Sequence, residues 1–414
     1  MFLSKVDYER ISYMISYEES MKQLASVEVK NTAVERIFLS DALGRILAED
    51  IIAEENSPVY PTSAMDGYAI MAEDQQMGHI QVLGDNPAGA EEIAEVTPGF
   101  CIKTFTGSLM PKGADTLIPI ENVTFEGDKI TINEDVPQGF SVRPIGENFQ
   151  KDDVLLRKGT KLGYAEIGVM ASLNVVMAPV FIQPRVAVLS TGSEILDLGQ
   201  SATHASQIRS SNNYTLAALA EQSGAKSIQL GIVKDDEASI TSAFENALVS
   251  ADIIVTTGGV SVGDYDFVKD IIPRLGAEVI YKGVRIKPGQ HIMLAKKGDK
   301  FIIGLPGFAY SSTVTFMLYV IPIIRRMLAL EADLPRIEAV LMQDFEKRAK
   351  KTEFTPCNLV YKNGQYEVDF EGKKVGSSAI LTNMLGPCAL VVTDEQSASL
   401  AKGSKVDVIN LLAL

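Results

Sequence analysis

The chain is poor in the residues that build metal clusters, disulfide frameworks and surfaces for polyanions. Its 414 residues contain three cysteines, Cys101, Cys357 and Cys388, odd in number and far apart. That pattern gives neither a zinc-binding spacing nor a disulfide framework, and it fits a reducing cytoplasm. Histidine is as scarce, with only His79, His204 and His291. Positive charge is also short: 38 lysines and arginines face 53 acids, for a net charge of −15. No basic stripe remains to neutralise a phosphate backbone, so nucleic acid is excluded as a partner. A small anion held by a few local lysines is not. Long apolar runs are missing too. Lys5, Asp7, Glu9 and Arg10 interrupt the segment where a signal peptide needs a continuous apolar stretch. The most apolar late segment, 308–330, is cut by Pro322 and Arg325-Arg326 and predicts a core helix, not a membrane span. The expectation is a soluble cytoplasmic protein with no membrane partner.

What is present points to several domains. At 46% hydrophobic and 22% charged residues the composition is that of globular proteins, and the length predicts two to four domains. From about 185 to 330 strand and helix patterns alternate, beginning with Val186-Ala187-Val188-Leu189 and returning at Ile228–Val233, Ile253–Val255, Glu278–Tyr281 and Phe301–Ile303. Repeated β-α units predict a doubly wound parallel sheet. Residues 51–147 are turn-rich, with a hairpin pattern around Glu126-Gly127-Asp128-Lys129, and predict a small β-rich domain. Residues 1–50 show helical spacing at Ile11, Met14 and Ile15 and again at Ala42, Leu43 and Ile46. From 331 onward Asn363-Gly364 sits between two apolar runs, a strong hairpin signal that predicts a small β barrel or sandwich.

The most informative stretch is 253–266. A β-branched apolar run ends in Gly258-Gly259-Val260-Ser261-Val262-Gly263, followed by Asp264 and Asp266. Glycines let backbone amides approach an anion, and acids beside them suit a phosphate or nucleotide site in an open α/β sheet. Gly259-Val260-Ser261-Val262-Gly263 also fits the elbow of a serine hydrolase, for which His291 alone has the right chain order. In a parallel sheet all strand C-termini open on one edge, so Glu194, Asp235 and Asp266 are expected as neighbours there. Lys287-Pro288-Gly289 and Gly304-Leu305-Pro306-Gly307 follow later strand regions. Carboxylates without a histidine or thiolate cluster suit a hard cation such as Mg²⁺. Asp235 alternatively caps the helix after it. Asp66, in Ser63-Ala64-Met65-Asp66-Gly67-Tyr68, is either a turn former or an acid aimed at a cleft.

The segments Leu43-Gly44-Arg45-Ile46-Leu47-Ala48-Glu49-Asp50, Ser63–Ala69, Thr106-Gly107, Gly113-Ala114-Asp115, Thr191-Gly192-Ser193-Glu194, Thr257–Gly263, Lys287-Pro288-Gly289 and Gly304–Gly307 resemble, in order, those of molybdopterin molybdenumtransferases. That family includes the E domain of gephyrin and of plant molybdenum-cofactor proteins. The resemblance implies hydrolysis of adenylylated molybdopterin, insertion of molybdate with release of AMP, a requirement for Mg²⁺, and a homodimer. In that dimer the sheet domain of one subunit shares a cleft with the β-rich domain of the other. It also implies a molybdopterin adenylyltransferase as a partner. Carried over by position, the catalytic set is Asp66, Glu194, Asp235, Asp266 and Lys287, with Glu194 and Asp266 as metal ligands. The substrate-binding set is Thr106, Arg143, Gly258, Gly259, Ser261, Gly263, Pro306 and Ser377. The implied fold is multidomain α/β. It has a connector domain (1–50 with 148–184), a β-rich domain (51–147), a doubly wound, mostly parallel molybdopterin-binding domain (185–330) and a C-terminal β-barrel-like domain (331–414). Asn148, Gly283, Phe308-Ala309 and Cys357 depart from the family pattern, an arginine being frequent at the last. These departures leave a non-catalytic molybdopterin-binding or scaffold protein as the alternative.

Overall fold

A computed structural model describes residues 14–91, 94–260 and 267–413. The chain divides into two compact units, one of Met1–Ile37, Asp41–Ala48 and Pro179–Leu414, the other of Phe38–Ser40 and Glu49–Ala178.

The larger unit opens with helix α1 (Tyr17–Ser26), started by Ser16, whose hydroxyl accepts from the Glu19 amide at 3.1 Å. Its sheet is built from β1 (Arg185–Thr191), β2 (Lys226–Val233), β3 (Ile253–Thr257), β4 (Glu278–Lys282), β5 (Met293–Lys297) and β6 (Lys300–Leu305). The order is β2-β1-β3-β6-β5-β4, with β2, β1, β3 and β6 parallel and β5 antiparallel to both its neighbours. β3 lies between two parallel neighbours and is buried along its whole length, which is why a continuous β-branched run encodes it. Helices α2 (Asn212–Gln222), α3 (Glu237–Ser250) and α4 (Val268–Arg274) connect the strands. The chain leaves β1 for β2 on one side, then returns through α3 to β3 on the other. The crevice at the C-terminal ends of β1 and β3 is therefore the switch point of the sheet, the usual ligand position in such folds.

Helix α5 (Ala309–Met327) follows β6 and is buried on nearly every face, with Arg325 and Arg326 in its last turn. It packs into the main core, and no helix among the described residues is long and apolar enough to cross a membrane. After it come β7 (Arg336–Leu341), β8 (Thr352–Lys362), β9 (Gln365–Asp369), β10 (Cys388–Thr393) and β11 (Lys405–Ile409). They close into a five-stranded barrel in the order β8-β9-β7-β11-β10, with β10 pairing back onto β8. Asn363 (φ 52°) and Gly364 (φ 80°) make the two-residue β8–β9 turn, as their sequence predicts. The short strand Ile286–Lys287 adds in parallel to the start of β8.

The smaller unit holds a six-stranded sheet, with strands in the order Thr116–Pro119, Gly67–Ile70, Phe100–Thr104, Ile80–Asn86, Lys129–Ile132 and Val123–Glu126. Gly67 packs so closely on the next strand that a Cβ there would lie 2.3 Å from the Ile118 carbonyl oxygen. The residue after Asp66 is thereby pinned to the sheet.

Two sequence expectations fail near the start. Ile11 lies outside the described residues, and Met14 and Ile15 are not helical; Ile15 bridges Val284, and the helix begins only after the Ser16 cap. Ala42–Ile46 is a turn, not a helix, because Gly44 takes φ 77° and Leu47 then bridges Val180. Helical spacing arose there from apolar residues that are buried one after another, Ile46, Leu47 and Ala48. Strand β5 also went unread. Its antiparallel pairing means that not every strand of the sheet points the same way.

Candidate active site

At the switch point three strand-end loops meet. Gly258 and Gly259 follow β3 with φ of 91° and 71°, left-handed conformations that favour glycine. A Cβ at Gly258 would lie 3.2 Å from both the carbonyl and the hydroxyl oxygen of Thr191, at the end of β1. The Gly258 amide donates to the Leu305 carbonyl at 3.1 Å, and Gly307 lies against Gly258, so the loop after β6 closes on the loop after β3. Asn212, first residue of α2, donates to the Gly307 carbonyl at 2.8 Å. Beneath the crevice a buried polar cluster ties the strands together. The Ser190 hydroxyl donates to Asn213 Oδ1 at 2.6 Å, and the Thr257 hydroxyl lies 2.8 Å away. These side chains hold the ends of β1, β3 and α2 in one arrangement.

The acids sit on this edge. Asp235 Oδ2 accepts from the Ser193 amide at 3.3 Å, which brings the loop after β2 to the loop that carries Glu194. The next residue, Asp236, caps α3 by accepting from the Ser239 amide, so Asp235 is not the cap. The Glu194 carboxylate folds back over Gly192, within 2.9 Å of where a Cβ would stand. Of the expected set Ser261, Gly263 and Asp266 lie outside the described residues. Among the described residues no three histidine, cysteine, aspartate or glutamate side chains gather closely enough to hold a metal ion. Glu194 still provides a hard oxygen donor at the strand ends, the donor chemistry Mg²⁺ takes.

Beside Pro306 a cavity of about 380 Å³ opens between the sheet edge and the barrel. Lys287, Pro306 and Ser377 all line it, together with His291, Arg348 and Lys351. The Lys287 ammonium pairs with Glu353 at 3.2 Å; that carboxylate side chain is 5% exposed while Lys287 is 35% exposed. Lys287 is thus anchored from the barrel side and still reaches the cavity. The Arg348 guanidinium lies against Gly376, where a Cβ would meet it at 2.9 Å, so the 376–378 loop and Arg348 form one wall. Sequence reasoning missed Arg348, Lys351 and Glu353. The run Lys347-Arg348-Ala349-Lys350-Lys351 in an otherwise acidic chain was a usable signal; nothing in the sequence marks Glu353 as buried. Cys357, where relatives often carry arginine, does not reach the cavity wall. Its side chain belongs to the closed barrel core beside Leu359 and Val391, and burial pushes its thiol well up, so it cannot serve as a ligand contact.

The second unit gathers Asp66, Thr106 and Arg143. Loop 63–66 is laced to its neighbours: the Ser63 amide donates to the Ser108 carbonyl, the Gly107 amide to Ser63, and the Ala64 amide to Ser141. Val142 and Arg143 pair with Ser63 and Thr62. Asp66 Oδ1 accepts from the Thr106 hydroxyl and from its amide, each at 2.7 Å. Those two bonds, the hydroxyl's first, hold the exposed Asp66 carboxyl below the usual carboxylate range. Arg143 pairs with Glu147. Asn148 presents its amide to the Ser57 carbonyl. Replacing Thr106 with valine removes the hydroxyl donor and keeps the amide. The Asp66 pKa is then expected to rise part of the way to its ordinary value, read by ¹³C NMR titration of the carboxyl carbon. The sign follows from linkage: a depressed native pKa gives stability present above the unfolded value and lost as pH falls through the native one. The variant therefore loses some of that acid dependence.

Comparisons with known proteins cover almost the whole chain. Three family profiles match in order: the MoeA N-terminal region (domain I and II) over 15–174, a probable molybdopterin binding domain over 187–326, and the MoeA C-terminal region (domain IV) over 338–411. The chain is 33% identical over 388 residues to the molybdopterin molybdenumtransferase of Nostoc sp., covering 91% of this chain and 88% of the relative. It is 31% identical over 403 residues to that of Haemophilus influenzae, covering 95% and 98%. Its fold is similar to the crystal structure of the molybdopterin biosynthesis moeA protein from Pyrococcus horikoshii OT3, with a TM-score of 0.81, 30% identity, and coverage of 96% and 99%. Strand-end loops, paired acids and a barrel joined to the sheet edge thus occur here within one recurrent architecture. The chain belongs to the molybdopterin molybdenumtransferase family, enzymes of molybdenum-cofactor biosynthesis.

Proposed function

We propose that the protein hydrolyses adenylylated molybdopterin and inserts molybdate at its dithiolene sulfurs, releasing AMP, as a cytoplasmic homodimer supplied by a molybdopterin adenylyltransferase. The observation that carries this reading is the meeting of Glu194, Asp235 and the Gly258-Gly259 turn at the sheet switch point, next to the cationic cavity of Lys287. Backbone amides with no Cβ in the way favour phosphate oxygens. A water oxygen adds to the adenylyl phosphorus, the bond to the bridging oxygen breaks, and the molybdopterin phosphate leaves. Glu194 and Asp266 would hold Mg²⁺, which when bound offsets the negative charge of the phosphate oxygens. Asp235, fixed by the Ser193 amide, orients the neighbouring loop and accepts a proton or hydrogen bond at its carboxylate.

The cavity suits molybdate, a tetrahedral dianion. Lys287, Arg348 and Lys351 supply cationic donors and Ser377 a hydroxyl, while Glu353 keeps Lys287 in place. Asp66, held ionised by Thr106, and Arg143 are proposed as substrate contacts of the second unit. The reading is tested with purified protein, adenylylated molybdopterin, Mg²⁺ and molybdate. AMP is expected in equimolar amount with molybdenum-loaded pterin. No AMP above a no-enzyme control contradicts it.

A further inference from the structure

We propose that the lysines just outside the cavity, Lys350 and Lys374 above all, form a cationic mouth that draws a small dianionic oxyanion into it. The proposal rests on the oxyanion reading of the cavity given above. With a net charge of −15 the protein repels a dianion over most of its surface. Around the cavity the sign reverses. Residues 346–351 read Glu-Lys-Arg-Ala-Lys-Lys and residues 371–374 read Glu-Gly-Lys-Lys, six cations against two carboxylates. Arg348, Ala349 and Lys351 of the first segment line the cavity, as do Val375 and Gly376, which directly follow the second. The two segments therefore flank one opening.

Their hydrogen bonds leave this charge largely uncancelled. The Lys373 ammonium donates to the carbonyls of Asn383 and Leu385, Lys347 to the carbonyl of Asp394, and Lys351 to the side chain of Gln290. A neutral acceptor fixes an ammonium group without removing its charge; of these three, Lys347 also feels the Asp394 carboxylate. Arg348 faces Glu346, but at 3.8 Å and with both side chains more than half exposed. Such a pair is weak and screened. Lys350 and Lys374 are exposed and make no side-chain hydrogen bond or ion pair among the described residues. They contribute field at the opening and no structure. At about 0.1 M salt the Debye length is about 10 Å, so charges at the rim of a cavity this size act on an approaching anion. A focused field of this kind raises association rates by roughly 10 to 10³-fold; two rim charges carry a part of that.

The test uses molybdate alone with the full chain. Equilibrium dialysis gives Kd, ⁹⁵Mo linewidths give the dissociation rate, and their ratio gives the association rate. Lys350→Gln/Lys374→Gln is expected to lower the association rate about three- to tenfold at low salt, with the dissociation rate unchanged. The difference should vanish near ~0.5 M salt, where the Debye length falls to a few ångströms. Because the field is linear in charge, Lys350→Glu/Lys374→Glu should square the fold-change. An unchanged association rate at low salt overturns the proposal. So does a faster dissociation rate, which would mean direct contact with the anion. If wild-type protein binds no molybdate at all, the oxyanion reading of the cavity fails, and the proposal fails with it.

Discussion

Replacing Lys287 with methionine is expected to weaken molybdate binding by about 10- to 100-fold, the loss that follows when one charge-assisted hydrogen bond is removed. Methionine keeps most of the stem's volume, so the change is in charge and donor. The variant has a second consequence, because Glu353 is almost fully buried and Lys287 is its ion-pair partner. Leaving that carboxylate unpaired costs about 1–3 kcal/mol, reduced from the value for a fully buried pair because Lys287 is partly exposed. The two effects separate in Lys287→Met/Glu353→Gln, where the amide no longer carries a buried charge. Thermal stability is expected to return most of the way and molybdate affinity is not. Equilibrium dialysis and calorimetry on the same three proteins read both. If affinity recovers with stability, Lys287 acts as a strut for the barrel contact and not as an anion ligand.

Asp235→Asn and Glu194→Gln are expected to lower the rate of AMP release by roughly 10²- to 10³-fold each, the scale for removing a positioned electrostatic group from a reacting centre. Both substitutions keep shape. The asparagine oxygen still accepts from the Ser193 amide, so the loop stays closed and the unfolding temperature is expected to stay within about 1 °C of wild type, as for surface changes that break no buried contact. Glu194→Gln should also raise the Mg²⁺ concentration needed for half-maximal rate, since one hard anionic ligand is lost. Asp235→Asn should leave that concentration nearly unchanged. Wild-type rates in both variants, measured by AMP formation under single-turnover conditions, would remove the sheet-edge acids from the chemistry.

The parts legible in the sequence are those written in local patterns. The β-branched run of β3 declares a strand buried on both faces, and Asn363-Gly364 declares its hairpin because both positions demand positive φ. The strand-end logic that groups Glu194 with Asp235 is local too; it needs only the β-α alternation and the common direction of the parallel strands. What escaped is set by distant pairing. Ala42–Ile46 has helical spacing, but Gly44 turns the chain and Leu47 is claimed by Val180, far away in sequence. The antiparallel β5 forms a hairpin with β6 around Gly298 and Asp299, and the polar run 296–300 between two apolar runs was a local turn signal left unused.

The cavity was invisible because distant pairing builds it. Lys287 meets Glu353 because Ile286–Lys287 pairs with the first strand of the barrel, a contact across 66 residues. Arg348 reaches Gly376 across a loop, which no periodicity records. Cys357 stands where relatives often carry arginine, and the pleat of β8 turns it into the closed barrel beside Val391 and Val408. A slip of one residue in a strand is enough to exchange an inward for an outward position.

On the proposed function the adenylyl phosphate and the oxyanion occupy adjoining places, one at the Gly258-Gly259 turn and the other beside Lys287. Diffraction from crystals grown with AMP and molybdate, collected above the molybdenum absorption edge, measures this directly. An anomalous peak is expected in the cavity within hydrogen-bond reach of Lys287, with the AMP phosphate at the ends of β1 and β3. A molybdenum peak outside that cavity, with the cavity filled by water and the nucleotide away from the sheet edge, would contradict it.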